Sequence, residues 1–310
     1  MWARALYAMK TSVNICGIEF KNPLIAASGT FGFGREYADF YDVNIWGGIC
    51  TKGLTYEKRL GNPVPRIAET PMGMLNSVGL QNPGFEGFVE HEMPYLKTLD
   101  TVVIANIAGS TIEDYCRLAE ALNAHDIDMV ELNISCPNVK EGGLAFGVRP
   151  ASIKNVVSSV RKHCKKPLIV KLSPNVSDIA ENAKVAEDNG ADAISLINTV
   201  GGMAVDIYTR QPILARSIGG LSGPAIKPIA LKMVWQVYNS VKIPIIGMGG
   251  ISSAKDILEF MMCGASLVQV GTYNFTDPYA PVTLLDGLTK LMTDCKILDI
   301  NTIIGDLKAR

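Results

Sequence analysis

The chain has 310 residues, 48% of them hydrophobic and 19% charged, with a formal net charge of -1. That length buries one large core or two ordinary ones, and the near-neutral balance supplies no basic field for nucleic acid. No apolar run reaches the roughly 18 to 20 residues that span a bilayer, and residues 1–10 lack the apolar core and cleavage site of a leader, so a soluble cytoplasmic protein without membrane contact is expected.

Short apolar strands alternate with helical periods almost from end to end. In chain order the strands are read at 24–27, 48–51, 102–107, 129–134, 168–172, 193–197, 243–247 and 267–270. Helices are read at 111–123, 151–163, 178–189, 224–238, 253–263 and 278–292, with Ser110, Ser177, Gly223 and Ser252 as candidate caps. Eight such units imply a parallel sheet closed into a (β/α)8 TIM barrel. An open doubly wound sheet fits less well, because Gly29, Gly32 and Gly34 lack dinucleotide-loop spacing. Residues 53–83 and 198–222 exceed ordinary loop length, so they are read as inserted loops or short strands over the C-terminal mouth.

The seven cysteines, Cys16, Cys50, Cys116, Cys136, Cys164, Cys263 and Cys295, form no Cys-x-x-Cys pair, and only three histidines accompany them. Neither a disulfide framework nor a metal site is expected from such scatter, and most of these thiols read as small core residues. Cys136 differs. In Glu131-Leu-Asn-Ile-Ser-Cys-Pro-Asn138 the apolar strand is ending, and Pro137 removes the next backbone donor. A cysteine at a strand's C-terminal edge lies where barrels do chemistry.

The other strand ends would deliver Ser28, Thr51, Lys52, Asn106, Asn133, Lys171, Asn198 and Thr199 to the same mouth. Two lysines among amides, with no obvious carboxylate partner, suggest an anionic occupant with planar hydrogen-bonding edges. The last two strands end in Gly247-Met-Gly-Gly-Ile251 and Gly271-Thr272. Backbone amides freed by glycine, with a helix N-terminus near Ser252, suit a phosphate, although the glycines could merely turn tight loops. A phosphate cradle, a lysine beside a planar group and a facing cysteine together describe a site for flavin mononucleotide, FMN.

Several longer stretches then carry a family. Ala26-Ala-Ser-Gly-Thr-Phe-Gly-Phe-Gly34, Gly61-Asn-Pro-Val-Pro-Arg66, Asn76-Ser-Val-Gly-Leu-Gln-Asn-Pro83, Glu131 to Asn138, Val170-Lys-Leu-Ser-Pro-Asn175, Gly219-Gly-Leu-Ser-Gly-Pro224 and Ile246-Gly-Met-Gly-Gly250 resemble dihydroorotate dehydrogenase. Cysteine at 136 is similar to the class 1 enzymes, and the loop 138–147 is similar to class 1B, whose catalytic subunit passes electrons to NAD through an iron-sulfur flavoprotein subunit. Thr199, where class 1A commonly has serine, supports class 1B.

The resemblance implies a single (β/α)8 flavoprotein domain over residues 1–310 that oxidises dihydroorotate to orotate in pyrimidine synthesis. It implies Cys136 as the base and Lys52, Asn76, Ser77, Val78, Gly79, Leu80, Asn133, Asn138, Asn198 and Thr199 as substrate contacts. It implies FMN contacts at Ser28, Lys52, Gly53, Asn106, Asn133, Lys171, Ile197, Gly223, Gly249, Gly250, Gly271 and Thr272. FAD and a 2Fe-2S cluster are then expected only on a partner subunit, in a heterotetramer of two catalytic and two electron-transfer chains. Residues 139–145, with Gly142 and Gly143 as hinges, are the candidate lid, against the plainer reading of a mobile surface loop.

Other readings remain at this level. A class 1A enzyme would use fumarate directly. A tRNA dihydrouridine synthase also joins flavin, barrel and cysteine but calls for a basic surface. A Schiff-base aldolase could use Lys171, and a silent barrel could serve only as a scaffold.

Overall fold

Parallel pairing runs unbroken around eight strands. Leu24–Ala26, Gly48–Cys50, Val102–Ile107, Met129–Asn133, Leu168–Lys171, Ala193–Leu196, Ile245–Met248 and Leu267–Val270 form a closed barrel in which the last strand pairs with the first. The computed structural model describes residues 9–135 and 146–308. Cys136, Asn138 and the candidate lid 139–145 lie outside the described residues.

All eight strands fall where alternation placed them, within one or two residues at each end. Their near-continuous burial is what a parallel sheet covered on both faces demands. The helices bury one stripe each. Ile112–Leu122 turns Tyr115, Leu118, Ala119 and Leu122 inward, the i, i+3, i+4, i+7 set of an amphipathic helix.

The caps lie one residue later than expected. Thr111 accepts from the Asp114 N–H, Asp178 from Ala180 and Glu181, and Ser253 from Asp256. A cap's side chain must reach the N–H two or three residues on, and in two of these helices the third residue is an aspartate that reaches back. Ser110 and Ser252 instead donate their own N–H groups to those aspartates. Gly223 precedes only the short 3-10 turn Pro224–Ile226, and the α-helix begins at Lys227.

Both long insertions carry strands, and they meet. Val200–Met203, Ile218–Ser222, Gly73–Asn76 and Ile67–Thr70 form one antiparallel sheet in that order, so strands about 140 residues apart in sequence lie side by side. Gly220 pairs with Asn76 in this register. At the opposite end of the barrel the hairpin Val13–Ile15 and Ile18–Phe20 sends the fully buried Phe20 against Gly48, where a Cβ would stand 2.9 Å from its ring. The residues after Asp294 return to pack Ile300 into the core, and Lys10 hydrogen-bonds on both sides of Asp299, with Leu298 and Ile300.

Candidate active site

The strand parity that fills the barrel also decides what its interior contains. Residues i and i+2 of a strand share a face, so Glu131 lies directly beneath Asn133. Glu131 is fully buried, and both its oxygens are occupied. Oε1 accepts from Asn106 Nδ2 at 2.6 Å, Lys171 Nζ at 3.3 Å and Cys50 Sγ at 3.3 Å. Oε2 accepts from Gln269 Nε2 at 2.7 Å. Burial drives this carboxyl upward most strongly, yet the Lys171 ammonium and the donors of Gln269, Ser195 and Cys50 hold the acid below its ordinary 4.5. The same carboxylate, after burial, pushes the Cys50 thiol well above its usual range.

Lys171 therefore has the carboxylate partner that its sequence context did not reveal. Its remaining described contact is Ser28 Oγ at 3.3 Å, at the end of the first barrel strand. Asn106 turns its Nδ2 to Glu131, and its Oδ1 is buried without a partner among the described residues. Gly53 lies against that oxygen, since a Cβ there would stand 2.8 Å from Oδ1 and 3.5 Å from the Leu80 side chain. Ser28, Gly53, Asn106 and Lys171 thus form one group.

A second group runs across the mouth by hydrogen bonds. Asn133 Oδ1 accepts from Ser135 Oγ at 2.7 Å, and Ser135 Oγ accepts from Asn198 Nδ2. Asn198 Oδ1 in turn accepts from the Thr199 N–H at 2.7 Å. The Thr199 side chain occupies the space a Cβ would need at Gly220, whose carbonyl accepts from Asn76 Nδ2 at 3.4 Å. Tyr115 fixes the near end of this chain by donating its hydroxyl to the Asn133 carbonyl at 2.9 Å.

Residues 77–80 are held from the side by the loop 60–66. The Ser77 N–H donates to the Arg66 carbonyl at 2.8 Å, and the Val78 carbonyl accepts from the Asn62 N–H at 2.9 Å. Gly79 at φ +79° leaves no room for a Cβ, which would stand 2.7 Å from Asn62 Nδ2, and Leu80 carries a positive φ of 57°.

Lys52 is half-buried, and among the described residues no carboxylate pairs with it. Burial, and after it the Arg66 charge, lowers its ammonium below the ordinary 10.5. Beside it a cleft of about 420 Å³ opens between Gly29, Phe31, Glu36, Tyr37 and Phe275.

The third group is made of backbone. A Cβ on Gly250 would stand 2.8 Å from the Gly223 carbonyl, and one on Gly249 would stand 3.2 Å from Ile197. Thr272 Oγ1 donates to Ser222 Oγ at 2.7 Å, which brings the end of the eighth strand to the same place. No described acceptor takes the N–H of Gly249, Gly250, Gly271 or Thr272. The helix N-terminus near Ser252 does not join them. Both the Ser252 and Ser253 N–H groups already donate to Asp256 Oδ2, at 2.9 and 2.8 Å, so that part of the expected phosphate cradle is occupied by the chain's own carboxylate.

Glu131, Gln269, Cys50 and Ser135 are the site neighbours that sequence reasoning missed. Glu131 and Gln269 carried a readable signal, a charge and an amide inside otherwise apolar strands that need buried partners. Among the described residues, no three His, Cys, Asp or Glu side chains gather to hold a metal ion, and no helix is long and apolar enough to cross a membrane.

Known proteins share this chain. The Dihydroorotate dehydrogenase family matches residues 10–292. A relative from Thermoanaerobacter pseudethanolicus is 55% identical over 300 residues, covering 97% of this chain and 99% of its own. One from Alkaliphilus oremlandii is 57% identical over 295 residues, covering 95% and 98%. One from Bacteroides fragilis is 55% identical over 298 residues, covering 96% and 98%. Each of these relatives is named dihydroorotate dehydrogenase B (NAD(+)), catalytic subunit. A match over nearly the whole barrel, with the mouth built as described, makes this chain a member of the dihydroorotate dehydrogenase family.

Proposed function

We propose that this chain oxidises (S)-dihydroorotate to orotate on the route to UMP, with FMN in the barrel mouth, and passes the electrons to NAD through a second subunit. The observation that carries the reading is the joined set Asn133, Ser135, Asn198, Thr199 and Asn76, with Lys52, which no described carboxylate pairs, at the same mouth. Each amide carries both a donor and an acceptor, as a ring with carbonyl and N–H edges requires. The uncompensated ammonium suits the substrate's carboxylate.

The residues present fit FMN. Asn106 Oδ1 is a buried acceptor without a described partner, and four backbone N–H groups at Gly249, Gly250, Gly271 and Thr272 are uncommitted to described acceptors. Ser28, Lys52, Gly53, Asn133, Lys171, Ile197 and Gly223 would complete its contacts. When bound there, FMN would supply the hydride acceptor for the substrate's C6. Cys136 takes the proton from C5, so the substrate loses one proton and one hydride as the ring double bond forms. Substrate contacts at Ser77, Val78, Gly79 and Leu80 would line the pocket, while the expected contact Asn138 and candidate lid 139–145 lie outside the described residues.

The NAD-linked reading adds a partner carrying FAD and a 2Fe-2S cluster, two copies of each chain, and work in the cytoplasm. Names of the near-full-length relatives support it, and fumarate-dependent turnover by the isolated chain would favour direct fumarate use instead.

Anaerobic addition of dihydroorotate to the purified FMN-loaded chain is expected to bleach the flavin's visible absorbance; no bleaching rejects the proposal. Cys136→Ser keeps the yellow cofactor and loses about 10²- to 10⁴-fold in turnover at neutral pH, with unchanged turnover removing Cys136 as the base.

A further inference from the structure

We propose that Glu131 is a positioning residue for the flavin: its acceptor-only carboxylate fixes which atoms Asn106 and Lys171 present to the cofactor and compensates the lysine's charge. The inference rests on the FMN reading above and concerns a residue that touches neither cofactor nor substrate in that reading.

An ionised carboxylate can only accept hydrogen bonds. Asn106 must therefore turn its amide nitrogen toward Glu131 Oε1, and Gln269 must turn its own toward Oε2. Neither amide is free to flip. The consequence is visible in both, because Asn106 Oδ1 and Gln269 Oε1 are buried without partners among the described residues, on side chains that are 0% and 1% exposed. A buried amide oxygen left bare is costly unless a ligand donor satisfies it. Asn106 Oδ1 lies beside Gly53, at the mouth.

Lys171 is fixed in the same way. Its ammonium has three N–H groups, of which the described contacts use two, on Glu131 Oε1 and Ser28 Oγ. One donor is left for a ligand. The site therefore presents one acceptor and one donor to its occupant, each oriented by the same carboxylate. Glu131 binds donors from four other strands, so it holds this pattern to the rigid wall of the barrel rather than to a loop.

Charge points the same way. The pair Glu131 and Lys171 is neutral together, so an oxidised ring sits beside a compensated cation. Removing the carboxylate's charge would leave the ammonium bare and favour the added negative charge of a reduced ring.

The test uses the full chain reconstituted with FMN. Glu131→Gln keeps the shape, removes the charge and forces at least one amide to lose its bond. Binding of FMN, followed by quenching of its fluorescence, is expected to weaken about tenfold or more. The midpoint potential of the bound flavin is expected to move positive, and that shift to vanish when Glu131→Gln is made in a Lys171→Met background. Wild-type potential in a folded Glu131→Gln chain overturns the proposal, as does a shift that persists without Lys171. Should Glu131→Gln not fold, Gln269→Met strips only the Oε2 donor and is expected to weaken FMN binding about threefold, with unchanged affinity overturning the idea. If the wild-type chain binds no FMN at all, the function reading has failed instead.

Discussion

Two neighbouring layers inside the barrel differ in almost every respect. The layer beneath the mouth contains Cys50, Asn106, Glu131, Lys171, Ser195 and Gln269, a charged pair with amides and small polar groups. Two residues earlier on the same strands lie Gly48, Ile104, Met129, Ile169, Ala193 and Leu267, apolar and equally buried. Burial is therefore not what separates them. The lower layer is held by shape and tolerates a filling of similar volume, whereas the charged pair and the amide donors of the upper one depend on partners of the right polarity. The barrel can afford that exacting layer because the one below closes the interior and Phe20 plugs its far end.

Breaking the upper layer should cost most. Lys171→Met leaves Glu131 ionised, buried and without a cation, and is expected to destabilise the flavin-free chain by about 3–5 kcal/mol in urea denaturation. A loss under about 1 kcal/mol would mean that the pair is not dry. Ile169→Ala in the lower layer should cost about 2–5 kcal/mol through its cavity, yet leave FMN affinity unchanged in the folded fraction. If affinity falls too, the layers are not independent.

Lys52 sharpens the comparison from the rim. Because burial and Arg66 lower its ammonium below 10.5, orotate binding should be strongest below that lowered value. As pH rises through it the ammonium loses its charge, and affinity should fall by up to about tenfold per unit, earlier than for an ordinary lysine. Orotate titrations across alkaline pH, with Lys52→Met as the flat control, measure this. The smallest effect on folding is expected at Gly271. Its added Cβ would make only ordinary contact, 3.7 Å from the Ala27 Cβ. Gly271→Ala should therefore change stability by less than about 0.5 kcal/mol and weaken FMN binding. Equal FMN binding would show that the cofactor does not approach that backbone.

The lower layer and the barrel were legible because strand alternation and continuous apolar runs are local signals. Lysines, asparagines and glycines at the strand ends could be gathered once the strands were assumed to close. Glu131 stood in the quoted octapeptide, yet its partnership with Lys171 was hidden, since strand pairing alone brings Glu131 beside residues of other strands. Asp256 was missed for a different reason, since it is local: its carboxylate lies three residues past Ser253, the spacing of a capping box, and takes the amides expected for phosphate. The insertions announced themselves by length, but nothing within either segment says that it hydrogen-bonds to the other.

The pairing of Gly220 with Asn76 in the inserted sheet makes the mouth sensitive to counting. A strand's side chains alternate faces, so a shift of a single residue in either segment would turn Asn76 from the pocket to solvent. Residues 207–210, the turn of the outer hairpin between Val205–Asp206 and Gln211–Pro212, lie beyond that pairing and can lengthen or shorten freely. Between 73 and 76, or 218 and 222, the chain has no such latitude. Drift in length across this family is thus expected at the hairpin tip, while the sheet that carries Asn76 keeps its count.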